Sequence, residues 1–366
     1  MSGTGSPHVS VLVPAKNEAR SIRACISSLM TQDYPREKYE VIVIDDSSSD
    51  TTPEIIRELQ NRYSNLLFAR NAGTGTADAR NTGLSLARGK VIVNFSAHAI
   101  AQTHYLATVV NRLNESDSTI AGVGCRHEIP SDDPFWAKVF GLAMRSPLGA
   151  MGTSHVQIVR EELRDSIAFT AYRRGIFDKI GPFDSDLSEI DDAEFNFRLR
   201  EGGYQLLYTP AAVVFHRQPS NLAGFMRKMV RYGMGRAKII RRHPASFRIQ
   251  YLLPTAIVAS LVLLTLASLI TRNVLLLLAP LVLYYAASLL ASIPHTIKTC
   301  PKCLLFIPAA QFIMHIAYGM GFAVGFLTPI QPSGDKSGKT SHVLFESHPR
   351  TPFSQHSIPD QLSRSR

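Results

Sequence analysis

The sequence predicts an α/β domain with a mostly parallel sheet covered by helices on both faces, followed by helices that cross a membrane. Three observations predict it. Short apolar runs alternate with helical patterns from Val9 to Val123, as parallel strands buried on both faces do. Three long stretches without Asp, Glu, Lys or Arg follow from Leu252 onward. A basic cluster separates the two parts.

Val9–Val13 is a short apolar run after a polar start and reads as a buried strand. Asn17 is the expected cap of a helix whose apolar positions Ile22, Ile26, Leu29 and Met30 recur at helical spacing. Glu40–Ile44 is the second strand, ending at Asp45-Asp46-Ser47-Ser48-Ser49-Asp50, a loop of turn formers and caps. A helix through Ile55, Ile56 and Leu59 follows, then a strand at Leu66–Ala69. Thr76–Ala87 and Tyr105–Leu113 read as helices, Val91–Phe95 and Ile120–Val123 as strands. Ligands of such open sheets bind beyond the carboxyl ends of the strands, where Asp45, Asp46 and Ser96 fall.

Leu252–Ile270, Val274–Ile293 and Cys303–Leu327 are each close to the about 20 residues that a bilayer requires. Arg227, Lys228, Arg231, Arg236, Lys238, Arg241, Arg242 and Arg248 precede the first of them. The net charge of +10 is therefore juxtamembrane, and anionic headgroups suit it better than nucleic acid. By the positive-inside rule the amino-terminal domain is cytoplasmic, and Lys298 and Lys302 agree with that. Leu222, Phe225, Met226 and Met229 form an apolar stripe beside basic residues, expected to lie in the membrane interface. Three spans put the tail outside, and its Ser, Pro, Gly and His content reads as disordered.

Four cysteines are too few for a secreted disulfide scaffold, and no signal-peptide pattern precedes the first strand. Cys300-Pro-Lys-Cys303 has metal-ligand spacing, but Cys25 and Cys125 are remote, so it reads as a neutral loop between helices.

Several motifs together carry a resemblance. Pro14-Ala15-Lys16-Asn17-Glu18, Val43-Ile44-Asp45-Asp46-Ser47-Ser48-Ser49-Asp50-Thr51 and Ala79-Arg80-Asn81-Thr82-Gly83 resemble the nucleotide half of inverting family 2 glycosyltransferases of the GT-A, Rossmann-like fold. Asn94-Phe95-Ser96-Ala97-His98-Ala99 sits where that family keeps its metal motif. Gly181-Pro182-Phe183-Asp184 and Asp191-Asp192-Ala193-Glu194-Phe195 match the acceptor half. With Ile316-Ala317-Tyr318-Gly319-Met320-Gly321-Phe322 in the last span, the likeness is greatest to membrane enzymes of succinoglycan-type exopolysaccharide synthesis. It divides the chain into a catalytic domain (8–220), a basic interfacial region (221–249), a membrane region (250–328; spans near 252–270, 274–293 and 303–327) and a tail (329–366).

The resemblance implies the site. Asp46 is similar to the acid that hydrogen-bonds uracil, which implies a UDP-sugar donor; Pro14, Glu18 and Arg80 lie in the motifs that surround the nucleotide. Asp192 matches the base that deprotonates the acceptor hydroxyl, with Asp191 and Glu194 beside it. Crowded carboxylates raise one another's proton affinity, which tunes a base toward neutral pH. A solvated acidic helix start favoured by the dipole is the plainer account of the same acids.

The chain departs from the family at Ser96, where the usual acid would stand, while His98 takes the last position of the motif. Losing that carboxylate weakens the case for a divalent Mn or Mg ion. His98 and His216 could hold manganese with the diphosphate oxygens, Arg126, Arg173 or Arg174 could neutralise the diphosphate without metal, or either histidine could be a hydrogen-bonded core residue. Asp133–Gly152 either faces acceptor and bilayer, as in the resembling enzymes, or packs through Trp136.

The expected activity is inverting transfer from a UDP-sugar to a polyprenyl-linked glycan at the cytoplasmic face of the plasma membrane, in surface polysaccharide assembly. Direct transfer to polyprenyl phosphate and a transferase fold impaired by Ser96 are the alternatives. An oxidoreductase is disfavoured, because the first strand leads into Pro14–Glu18 rather than a Gly-x-Gly-x-x-Gly loop, and Gly73-Thr74-Gly75 is a lone glycine pair elsewhere.

Overall fold

The computed structural model describes residues 7–71, 75–150, 159–330 and 344–345. Gly73 and Thr74, Gly152 and nearly all of the tail expected to be disordered lie outside the described residues.

In chain order the elements are β1 (Val9–Ala15), α1 (Ile22–Met30), β2 (Tyr39–Asp45), α2 (Thr52–Arg62), β3 (Leu66–Arg70), α3 (Thr76–Leu86), β4 (Val91–Asn94), β5 (Ala99–Ala101), α4 (Tyr105–Glu115) and β6 (Ile120–Glu128). Then come α5 (Phe135–Arg145), α6 (Pro147–Ala150), β7 (Glu162–Arg164), β8 (Ala171–Arg173), α7 (Gly175–Ile180), α8 (Asp191–Glu201), β9 (Gln205–His216) and α9 (Leu222–Arg242). The long helices α10 (Leu253–Thr271), α11 (Leu275–Thr296) and α12 (Ile307–Leu327) precede a two-residue strand, β10 (Leu344–Phe345).

The strands form one sheet in the order β10-β3-β2-β1-β4-β8-β6-β9-β5, with β7 on β9. From β3 to β4 every pairing is parallel, while β8 and β5 pair antiparallel. Alternation along each strand splits the core in two. Val9, Val11, Val13, Val41 and Val43 pack under α1, α2 and α4, while Leu12, Ile42, Ile44 and Ile92 pack under α3, α7 and α8.

The loop after β1 differs from expectation. Asn17 does not cap α1; Ser21 holds that position, without a side-chain cap bond. Asn17 instead has φ 56°, and its Oδ1 accepts from Ser49 N at 2.8 Å. A short amide tolerates the left-handed region, and here it ties two loops together.

Three helices are long and apolar enough to cross a membrane, spanning 249–271, 275–296 and 301–327. Few residues of the first two are buried, whereas more than half of the third is. α12 packs against α5 and α9 through Ala310, Met314, Tyr318 and Phe322, which meet Phe140, Phe225 and Met229. The stripe expected to lie on lipid is therefore divided: Phe225 and Met229 are buried, Leu222 and Met226 exposed. Glycines permit this crossing. A Cβ on Gly233 would fall 2.1 Å from Tyr318 O, and one on Gly321 2.2 Å from Val230 O. Polar side chains fasten the other end: Gln311 of α12 bonds Ser288 of α11, Ser146 and Ala143 O. Cys300 and Cys303, expected in a neutral loop, are joined as a disulfide.

Candidate functional site

β1 and β2 are parallel neighbours, so their following loops emerge together at one sheet edge. Asp46 N donates to Ala15 O at 2.8 Å, Asn17 N to Ser48 Oγ at 2.8 Å, Glu18 N to Thr52 Oγ1 at 2.8 Å and Ala19 N to Asp50 Oδ2 at 3.1 Å. The Asp- and Ser-rich run thus supplies acceptors for the backbone of Asn17–Ala19, a role that sequence reading missed. Asp46 is 3% exposed and accepts from Asn71 Nδ2 at 2.7 Å and Gly75 N at 3.4 Å, with Lys16 Nζ at 3.3 Å.

The acids lie at the start of α8, where the helix dipole favours them. Asp191 is 5% exposed, and its Oδ2 lies 2.6 Å from Arg80 Nη1 of α3. Arg80, expected beside the nucleotide, is also the partner of the acid pair. Burial pushes the Asp191 carboxyl up to about 6; Arg80 pulls it down and neighbouring Asp192 pushes it further up. Asp192 Oδ1 accepts from Ala193 N at 2.8 Å.

Glu194 departs from its expected place. It is 1% exposed, accepts both prongs of Arg198 at 2.7 and 2.9 Å and meets His243 Nε2 at 3.0 Å. Burial works to raise its pKa, but the hydrogen bonds from His243 and Arg198 outweigh it and hold the carboxyl below its ordinary value. Arg198 also donates to Ile180 O and Pro182 O, tying the Gly181–Asp184 loop to α8. The Glu194–Arg198 face thus clamps a loop and lines neither cavity at the site.

At the third corner, β5 pairs with β9 so that Ala99 faces His216 in register. His98 Nδ1 meets Glu18 Oε1 at 2.8 Å, and His98 Nε2 meets His216 Nε2 at 3.1 Å. Ser96 Oγ lies 3.1 Å from His98 Nε2. Burial drives the His216 pKa well below the usual value, with Lys228 and His98 adding to it, so its imidazole is neutral. Burial works to raise the Glu18 pKa, but hydrogen bonds from His98 and Ser21 hold it lowered.

Two adjacent imidazoles form a donor set suited to manganese, which accepts nitrogen, rather than magnesium, which demands oxygen. Among the described residues no group of three or more His, Cys, Asp and Glu side chains is arranged to hold a metal. The residues therefore fit manganese only if it takes its remaining ligands from a bound diphosphate.

Two of the arginines expected to neutralise a diphosphate are used elsewhere. Arg173 donates to Leu113 O, Ser116 O and Ile120 O, and Arg174 to Ala87 O and Gly89 O. Arg126 pairs with Glu128 at 3.2 Å, and none of the three lines the cleft. Besides Lys16, Arg20, Arg80 and Arg217, the cations that do line it come from α9, whose basic cluster is split. Lys238 pairs with Glu189, Arg241 donates to Gly325 O and Thr328 O, and Arg242 meets Asp184 and Asp186. Arg227, Lys228, Arg231 and Arg236 line the cleft instead. Burial, with Arg231 beside it, brings the Lys228 amine down to about 8.

These corners share one cavity of about 1510 Å³, which Pro14, Glu18, Asp46, Arg80, Ser96, His98, Asp191, Asp192 and His216 all line. It continues to Met229 of α9 and to Met314 and Tyr318 of α12. Asn94 also lines it, with both polar side-chain atoms buried and unpartnered. Trp136 is half exposed, in an aromatic cluster with Phe135, Phe140 and Phe306.

Two family models match overlapping parts of the chain: glycosyl transferase family 2 over residues 10–181 and glycosyl transferase family group 2 over 166–323. A dolichyl N-acetylglucosaminyl phosphate diacetamidodideoxyglucuronosyltransferase of Methanococcus voltae is 26% identical over 325 residues, 87% of this chain and 97% of its own length. A β-monoglucosyldiacylglycerol synthase of Trichormus variabilis is 31% identical over 56% of this chain and 44% of its own length. The mannosyltransferase PcManGT of Pyrobaculum calidifontis, solved with GDP-mannose and Mn2+, shares the fold at TM-score 0.57 and 24% identity, covering 88% of each chain. Fold and matches together define a GT-A glycosyltransferase of the hexosyltransferase class with membrane-spanning helices. The chain belongs to glycosyltransferase family 2.

Proposed function

We propose that this enzyme transfers a sugar, with inversion, from a UDP-sugar to a lipid-linked glycan. The observation that carries the reading is the shared cavity, which Asp46 and the Asp191–Asp192 pair both line and which reaches α12. Asp46, held by Asn71 and Lys16, offers a carboxylate to the uracil N–H, with Pro14, Glu18, Arg80 and Ser96 around the nucleotide. Asp192 takes the proton of the acceptor hydroxyl as that oxygen attacks the anomeric carbon. The bond to the diphosphate breaks on the opposite face, and Lys228 and Arg231 balance the charge that develops there. Arg80 fixes Asp191, and through it the turn that carries Asp192. Manganese, where bound, would be held by His98 and His216 and would offset diphosphate charge.

A lipid-linked acceptor is supported by the spans and by the Methanococcus voltae relative, whose name specifies a dolichyl-linked sugar phosphate. The Asn94–Ala99 and Ile316–Phe322 motifs support a place in exopolysaccharide synthesis of the succinoglycan type. We place residues 8–220 as a catalytic domain on the cytoplasmic face of the plasma membrane, on the strength of Arg227, Arg231, Lys298 and Lys302. Exposed basic residues of α9 then meet anionic lipid.

The test is transfer of radiolabelled sugar by membranes containing the enzyme, with UDP- and GDP-sugars and with or without manganese. A UDP-sugar is expected to label a multi-sugar lipid product, and Asp192→Asn to slow transfer by about 100-fold or more. Unchanged turnover in D192N removes the base assignment; a product bearing one sugar and one phosphate replaces the acceptor; full activity with chelator removes the metal.

A further inference from the structure

Asp192 borders a second cavity. Of about 520 Å³, it runs along α8 from Asp192 to Arg200 and Glu201, and its wall includes Ser246, Arg248 and Tyr251 at the approach to the first span. Neither Glu18 nor Asp46 reaches it, while Asp192, His216, Gln218, Arg236 and Tyr251 are among the residues that line both cavities.

Its lining holds five arginines, Arg145, Arg164, Arg200, Arg236 and Arg248, against the carboxylates Asp165, Asp192 and Glu201. Arg145 and Arg164 have their own acids, Glu128 and Glu162. Arg200 and Arg248 share the single carboxylate of Asp165. Arg236 lies 4.3 Å over the Tyr251 ring and hydrogen-bonds Tyr318, and it has no carboxylate at ion-pair distance among the described residues. Arg200 Nε and Ser246 Oγ are buried without a hydrogen-bond partner. Buried donors without acceptors cost free energy, and an excess of guanidinium over carboxylate is relieved by a bound anion, which planar guanidinium recognises in two-pronged fashion.

We propose that this second cavity is the acceptor chamber, and that Arg200, Arg236 and Arg248 hold a phosphate or diphosphate ester of the acceptor while its sugar hydroxyl reaches Asp192. The proposal rests on Asp192 as the base. Inversion requires the nucleophile to approach opposite the leaving group, and a space that adjoins the main cavity at Asp192 but excludes Glu18 and Asp46 meets that need. Phe197, Leu163 and Ile129 give the chamber apolar surface beside the cations.

The full chain in phosphatidylcholine nanodiscs is titrated by calorimetry with farnesyl diphosphate, farnesol and UDP. Farnesyl diphosphate is expected to bind alongside UDP, and farnesol not to bind. The double variant Arg200→Gln, Arg248→Gln should weaken farnesyl diphosphate by about tenfold and leave UDP affinity unchanged. Arg200→Lys and Arg248→Lys should recover part of the loss, which separates anion binding from misfolding. Equal farnesyl diphosphate affinity in the variants overturns the proposal, as does competition with UDP for one site. Loss of binding when phosphatidylglycerol is added to the discs assigns the arginines to lipid headgroups and also overturns it. Failure of UDP to bind, or full turnover in D192N, strikes the proposed function instead.

Discussion

Asp191 and Asp192 are adjacent in sequence and differ in surroundings. Asp191 is buried against Arg80 and lines only the larger cavity, while Asp192 borders both. In the proposed function the pair divides labour: one acid anchors the helix start and the other meets substrate. Because burial pushes the native Asp191 carboxyl from 3.8 to about 6, the folded chain holds that proton more firmly than the unfolded chain. Stability contributed by this group is full below 3.8 and is lost as pH rises to about 6. Asp191→Asn has no such slope, so the wild-type midpoint minus the variant midpoint should fall across that interval. A rise in that difference would mean that Arg80 outweighs burial. The Glu194 carboxyl runs the other way: its lowered pKa stabilises the fold above the ordinary carboxylate range, and that is lost on acidification.

At the scale of elements, the crossing of α9 over α12 is set by backbone proximity. At Gly321 any side chain meets Val230 O at 2.2 Å, a backbone atom that cannot swing aside. Gly321→Leu should cost about 1–3 kcal/mol and lower the thermal midpoint in detergent; an unchanged midpoint would show that the helices separate freely. The same crossing marks where sequence reading stops. β1, β2 and the long spans are legible because buried parallel strands and bilayer-length helices write continuous apolar runs. β5, β7 and β8 have three residues each, too short for any period to register. Phe225 and Met229 look the same whether lipid or protein covers them, and only the glycines opposite, on α12, say which. In the site, the loops beside Asp46 and Asp192 are legible as motifs. The pairings Arg80 with Asp191 and Glu18 with His98 join residues 111 and 80 apart, and no local pattern encodes them.

Across the whole molecule, the sheet domain and the last span form one packed body. Phe140, Phe225 and Met229 bury against Ala310, Met314 and Phe322, and Gln311 bonds both α5 and α11. Residues 1–248 produced alone would uncover that surface, a contiguous apolar patch of the kind that drives association. Such a fragment is expected to aggregate on size-exclusion chromatography; a monodisperse monomer that binds UDP would contradict the packing. Met314 and Tyr318 belong both to the wall of the candidate cleft and to a helix of bilayer-crossing length. Lipids with shorter or longer tails change the tilt of such a helix, so membrane thickness becomes a variable that this cleft can feel.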